Sequence, residues 1–122
     1  MPQDSETGRQ GLENGYNHAG VIAELLNAKR VSNNSNEFDW AGSRVVIKTG
    51  SSAVVTRAIL DRVDVVVYGE ETDEGWAIYR VEPRVFNENS IQSQSKNHNE
   101  NYRLVRRSQI RKIGEPIFLA DQ

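Results

Sequence analysis

The sequence predicts a single α/β domain in which a central mixed β-sheet is flanked by helices. Its 122 residues match the length of one typical domain. Apolar residues recur at helical spacing between positions 17 and 30, which predicts an amphipathic helix there. They are Val21, Ile22, Leu25 and Leu26. The segment Val63–Tyr68 is almost entirely β-branched, which is typical of a strand covered on both faces.

Composition excludes several classes of protein. The chain has no cysteine, so a disulfide scaffold, a thiol nucleophile and a thiolate zinc site are excluded. No apolar run reaches the roughly 18 residues that span a membrane. We therefore expect a cytoplasmic protein. Residues 1–15 are polar and predict a flexible N-terminal segment, which leaves residues 16–122 as the domain.

The segments between residues 32 and 60 predict a hairpin followed by an ambiguous element. A polar turn at 32–37 leads into a strand at 38–40, a turn at 41–43 and a strand at 44–48. Successive side chains of a strand alternate between faces, so Val45 and Ile47 share one face and Lys48 faces the other way. Residues 53–60 combine β-branched residues with helical spacing, so strand and helix both remain open.

The second half predicts further strands, loops and one short helix, without an internal repeat. The predicted elements are an acidic loop at 69–75, a strand at 76–81 ended by Pro83, a polar loop at 87–101, a strand at 103–105 and a helix over 108–113 that Ser108 caps and Gly114 closes. This order of elements is that of a mixed α/β domain around a central sheet.

Three charged residues form the candidate catalytic group. Asp39 and Lys48 lie on adjacent strands of the predicted hairpin, and Glu24 lies on the preceding helix beside its apolar stripe. Two carboxylates hold Mg²⁺ through oxygen ligands, and the metal activates a bound water. A lysine orients that water or offsets charge that develops on a phosphate. The group therefore favours metal-assisted hydrolysis of a phosphodiester.

These residues resemble the PD-(D/E)xK nuclease superfamily, which includes restriction-type enzymes. The matching segments are GVIAE (Gly20–Glu24), EFDW (Glu37–Trp40) and RVVIKTGSS (Arg44–Ser52), and the likeness extends over roughly residues 17–117. The resemblance implies a restriction endonuclease-like fold and an endonuclease that cleaves DNA with Mg²⁺ or Mn²⁺. It also implies a homodimer, because one domain this small has too little surface to engage both strands.

The resemblance assigns a role to each residue of the group. Asp39 is implied as a metal ligand, Glu24 as the second ligand and Lys48 as the catalytic lysine, with the backbone carbonyl of Ile47 as a further ligand. The family places Asp, Glu or Gln two residues before the lysine, where this chain has Val46. Glu24 or Glu37 would then replace the missing ligand, or the domain is an inactive relative.

A basic cluster near the C-terminus predicts contacts with nucleic acid. Five basic residues occur within ten positions, and no acidic residue interrupts them. They are Arg103, Arg106, Arg107, Arg111 and Lys112. Such a cluster neutralises phosphates and positions DNA, although the net charge of the chain is -2.

Each of these features also has a structural interpretation. Asp39 suits a turn cap, while Glu24 and Lys48 suit solvated charges, and residues 103–112 also fit an amphipathic segment. The alternative function is accordingly a non-enzymatic, β-rich module that binds nucleic acid or protein through the basic cluster. A third possibility is an assembly protein that makes contacts through its acidic 70–74 and polar 87–101 loops.

Overall fold

The computed structural model describes residues 18–32, 36–93 and 101–117. It contains two β-sheets, with strands and helices numbered here in chain order. The larger sheet has the order β1 (Lys29–Arg30), β2 (Glu37–Trp40), β3 (Ser43–Thr49), β5 (Val65–Thr72), β6 (Gly75–Val81) and β9 (Glu115–Ile117). The smaller sheet has the order β4 (Ser52–Thr56), β8 (Tyr102–Arg106) and β7 (Ile91–Gln92). Helices of the described ranges are α1 (18–26), α2 (Arg57–Arg62), α3 (Pro83–Glu88) and α4 (Arg107–Ile113).

The larger sheet is mixed, as the sequence predicts. Strands β3 and β5 run parallel, whereas the other neighbours in this sheet are antiparallel. The chain crosses from β3 to β5 through β4 and α2, because parallel neighbours need a long connection. The single mixed α/β domain is thus confirmed, although strand outweighs helix in the part of the chain that the structure describes.

The two faces of this sheet carry two separate apolar clusters. Helix α1 covers one face, where Ile22 packs with Val45 and Ile47. The smaller sheet and helices α2 to α4 cover the other face, where Val46 and Tyr68 belong to the second cluster. Coverage on both sides explains why the run Val65–Tyr68 is buried at every position.

Helix α1 ends earlier than the sequence predicts. Residues 17–30 were expected to be helical, but Asn27 takes a φ of 59° and ends the helix. The amide of Ala28 then donates to the carbonyl of Ala23 at 2.8 Å, which satisfies a terminal acceptor. Lys29 and Arg30 form strand β1 instead of a basic last helical turn, because their backbone pairs with β2.

The predicted hairpin is confirmed, with slightly longer strands. Ala41 and Gly42 both have positive φ, 53° and 86°, which is the geometry of a tight type I′ turn. Residues 53–60, for which strand and helix both remained open, contain one of each. Strand β4 ends at Thr56, and helix α2 begins at the next residue. The Thr56 hydroxyl accepts the Ile59 amide at 3.2 Å and caps that helix.

Two loop predictions are wrong in part, and one short helix is missed. The acidic segment 69–75 is mostly strand, with a turn only at residues 73–74. Pro83 ends β6 but also begins α3, which extends into the predicted 87–101 loop, and β7 lies inside that loop as well. Residues 94–100 of that loop, like residues 1–15, lie outside the described residues.

Helix α4 begins one residue before the predicted start. Arg106 occupies the cap position without a side-chain hydrogen bond, so Ser108 is not the cap, although Gly114 does close the helix. After α4, strand β9 pairs with the free edge of β6. The sequence analysis does not predict β9.

The fold contains a structural repeat that the sequence does not show. Strand β4 leads into α2 as β8 leads into α4, and β4 pairs antiparallel with β8. The two junctions hydrogen-bond reciprocally: the Arg57 amide donates to the Asn101 carbonyl at 2.9 Å, and the Arg107 amide donates to the Ser51 carbonyl at 3.1 Å. The strands that follow, β5 and β9, pair with opposite edges of β6. The repeat therefore sets α4, with its arginines, beside the end of β3.

Candidate functional site

The main candidate site is a cleft of about 520 Å³ near the carboxyl ends of the parallel strands β3 and β5. Ligands of α/β sheets commonly bind at this end of parallel strands. The lining residues are Ser51, Ser52, Ile91, Gln92, Leu104, Arg106, Arg107, Ser108 and Arg111. Within the described ranges, this set includes three arginines and three serines and no carboxylate, so these residues present cationic and hydroxyl donors.

A buried carboxylate holds two of these arginines in place. Arg107 and Arg111 are four residues apart, so they lie on the same side of α4. Glu70 on β5 is 8% exposed and accepts the Arg111 Nε at 3.0 Å, and its other oxygen accepts the Arg111 Nη2. Arg107 Nε lies 3.8 Å from the Glu70 Oε1. Hydrogen bonds from Arg111 lower the pKa of Glu70, which therefore stays charged.

Arg107 has two further partners at the end of β3. Its Nε donates to the Tyr68 hydroxyl at 3.2 Å, and its Nη2 donates to the Gly50 carbonyl at 3.3 Å. The Tyr68 hydroxyl in turn donates to the same carbonyl. Gly50 adopts a φ of 106°, a conformation that a glycine adopts without strain. The Arg107 guanidinium is thus oriented before any ligand arrives.

The five predicted basic residues do not all line the same cleft. Arg106, Arg107 and Arg111 line the cleft, so the structure brings these three together. Arg103 points away from it, because its guanidinium donates to the Ser90 hydroxyl at 2.9 Å and to the Ser90 carbonyl at 3.0 Å. Lys112 is exposed on α4 and is not among the lining residues.

Asp39 and Lys48 lie on one face of the β2–β3 hairpin. Asp39 is opposite Arg44, and Lys48 follows four residues later along the same face of β3. The exposed Asp39 carboxylate accepts the Gly42 amide at 3.0 Å, so it stabilises the turn. Lys48 is half-buried, and this burial lowers its pKa, with partial compensation by Glu37.

Glu24 and the Ile47 side chain lie on the other face of the sheet from Asp39 and Lys48. Glu24 is exposed on α1, which packs on the face of the sheet opposite to Asp39 and Lys48. Ile47 is fully buried in an interior strand, where its amide donates to the Asn36 carbonyl at 2.9 Å. Among residues 18–32, 36–93 and 101–117, no three His, Cys, Asp or Glu side chains are grouped as metal ligands.

The buried carboxylate on the hairpin face that carries Asp39 and Lys48 belongs to Glu37, which is only 4% exposed. It accepts the Arg62 Nη2 at 2.6 Å and the Arg62 Nε at 2.8 Å, and it also accepts the Arg44 Nε at 3.1 Å. The Arg62 hydrogen bonds lower the pKa of Glu37 from 4.5 to about 2. The sequence placed Glu37 only as a possible substitute ligand, because Arg62 is 25 residues away and only the fold brings it near.

Comparison with known proteins identifies no relative of this chain. No protein-family model, curated protein or solved structure matches it. In the described part of the chain, no helix has the length and apolar character to cross a membrane. A functional conclusion therefore has to come from the cleft and from the hairpin.

Proposed function

We propose that this protein is a nucleic-acid-binding module that contacts phosphates through the arginine cleft at the end of β3. The observation that supports the proposal is the convergence of Arg106, Arg107 and Arg111 on one concavity, where the described lining residues include no carboxylate. Guanidinium groups match the planar geometry of phosphate oxygens and bind them bidentately. Serine hydroxyls and backbone amides commonly complete such contacts.

The three arginines contribute unequally. Glu70 partly neutralises Arg111, and Arg107 is held by Tyr68 and Gly50. Arg106 is exposed at the end of β8, lines the cleft and forms no ion pair with another described residue. We therefore assign the first phosphate contact to Arg106, with Arg107 as an oriented second donor.

Reversal of the charge at Arg106 is expected to weaken binding by about tenfold or more, because one phosphate contact becomes a repulsion. Fluorescence anisotropy with a labelled oligonucleotide measures this loss across a series of salt concentrations. The slope of log K against log salt should fall by about one for Arg106→Glu.

Arg84→Glu is the matched control for this experiment. Arg84 lies on α3 with 81% of its side chain exposed, and its replacement changes the net charge of the chain by the same amount. We expect less than about a twofold effect, because surface charge alone acts weakly at physiological salt. Equal losses in both variants, or no binding by the wild type, would overturn the proposal.

The second candidate is the Mg²⁺-dependent, homodimeric nuclease with a restriction endonuclease-like fold that the sequence resemblance implies. One observation favours it: Asp39 and Lys48 share a face of the β2–β3 hairpin. Under this hypothesis, the wild type nicks DNA when Mg²⁺ or Mn²⁺ is added, and Lys48→Ala abolishes nicking. Nicking that is equal in the two proteins, or absent from both, would refute it, whereas metal-independent binding supports the first proposal.

A further inference from the structure

The smaller sheet has one buried and one accessible face. The register pairs Ala53 with Val105, and both are buried against the core, as is Val55. Side chains alternate along a strand, so Val54 and Leu104, which are paired with each other, project to the opposite face. Both are half-buried.

This outer face supplies the apolar part of the arginine cleft. Ile91 on β7 is opposite Leu104, and both line the cleft together with Arg106. Ile91 is 50% exposed, one of the few large apolar side chains that are exposed in the described ranges. Leu104 and Arg106 are two residues apart on β8, so they project to the same side of that strand. An apolar floor thus adjoins a cationic rim within one concavity.

A floor of this kind discriminates between forms of nucleic acid. A duplex presents its phosphates and sugars outward and keeps its bases stacked inside, so Ile91 and Leu104 would gain no apolar contact from it. Unpaired bases have accessible faces, which pack on apolar side chains and on guanidinium planes. The cleft volume of about 520 Å³ suits a small group such as an inserted base.

We propose that the cleft selects single-stranded nucleic acid, with an unpaired base packed on Leu104 and Ile91 and the adjacent phosphates bound by Arg106 and Arg107. This inference rests on the proposed function and names the form of its ligand. Charge complementarity identifies the occupant, because a cleft whose described lining carries three arginines and no acidic side chain favours a polyanion over an apolar peptide.

The test compares a labelled single strand of about twelve nucleotides with a hairpin duplex that contains the same sequence. The wild type should bind the single strand at least about tenfold more tightly. Ile91→Ser should reduce affinity for the single strand by about fivefold and leave duplex affinity unchanged. Leu104→Ser should act in the same direction, and Ile91→Ser keeps the test decisive if the half-buried Leu104 is needed for folding.

Val31→Ser is the matched control, since Val31 is 45% exposed next to β1 and does not line the cleft. It should leave both affinities unchanged. Equal affinity for duplex and single strand, or equal effects of Ile91→Ser and Val31→Ser, would overturn the inference. If duplex binding still depends on Arg106, the proposed function stands while this inference fails. If neither form binds, both fail.

Discussion

Glu37→Ala is expected to lower the free energy of unfolding by about 2–3 kcal/mol. The substitution removes the acceptor of three hydrogen bonds and leaves Arg62, Arg44 and Lys48 close together without their shared counter-charge. A fall in the carboxyl pKa from 4.5 to about 2 corresponds to at most about 3–4 kcal/mol. The half-exposed arginines are screened by solvent, which brings the expected value toward 2 kcal/mol. Urea denaturation monitored by tryptophan fluorescence measures the change.

The pH dependence of stability gives a second readout of the same carboxylate. Because folding lowers the pKa of Glu37, its contribution is complete above pH 4.5 and disappears as the pH falls through about 2. The wild type should therefore lose stability over this interval, and Glu37→Gln should lose less.

Glu71→Ala is the control for both measurements, because Glu71 is the exposed neighbour of Glu70 on β5. Its replacement should change stability by less than about 0.5 kcal/mol. A Glu37 variant as stable as this control, or a pH profile identical to that of the wild type, would contradict the structural role assigned to Glu37.

Glu70→Gln is expected to move stability and nucleic-acid affinity in opposite directions. The change weakens the charge-assisted hydrogen bonds that Arg111 donates, at a cost of about 1–2 kcal/mol in folding free energy. It also removes the negative charge beneath the cleft, so the positive potential at Arg107 and Arg111 increases. Affinity for a single-stranded oligonucleotide should rise by roughly threefold, with a steeper salt dependence.

Denaturation and anisotropy on the same preparations separate these two effects. Glu71→Gln removes the same charge from the exposed neighbouring position, and we expect it to leave both quantities nearly unchanged. Reduced affinity for Glu70→Gln would show that the carboxylate acts mainly by orienting the arginines. Unchanged affinity would place the phosphate contact away from Arg107 and Arg111.

The local elements of this fold could be predicted where one periodicity dominates. The hairpin from Glu37 to Thr49 and the buried strand at Val65 follow from alternation and β-branching, which act within a few residues. Residues 53–60 carry two periodicities, and the boundary between strand and helix depends on a Thr56 cap beside a second, distant strand. The end of α1 depends on a left-handed Asn27 that sequence spacing alone does not indicate.

Some residues of the candidate site could also be predicted from the sequence, whereas others are recognised only in the fold. The sequence identified the arginines at 106, 107 and 111, because a run of like charge is visible without a fold. It did not separate them from Arg103, whose guanidinium donates to Ser90 just before β7. It also placed Glu70 in an acidic loop, although the carboxylate is buried on β5 beneath α4.

Four features can be inferred from the amino-acid sequence alone: the mixed α/β class, the hairpin, the central strand and the local concentration of positive charge. Each of them depends on neighbouring residues. Which charged side chains meet depends on the three-dimensional fold. It paired Glu37 with Arg62 and Glu70 with Arg111, set Glu24 on the opposite side of the sheet from Lys48, and placed Ile91 beside Arg106. These contacts join residues from distant parts of the chain. They arise from strand crossovers and packing, which local periodicity does not encode.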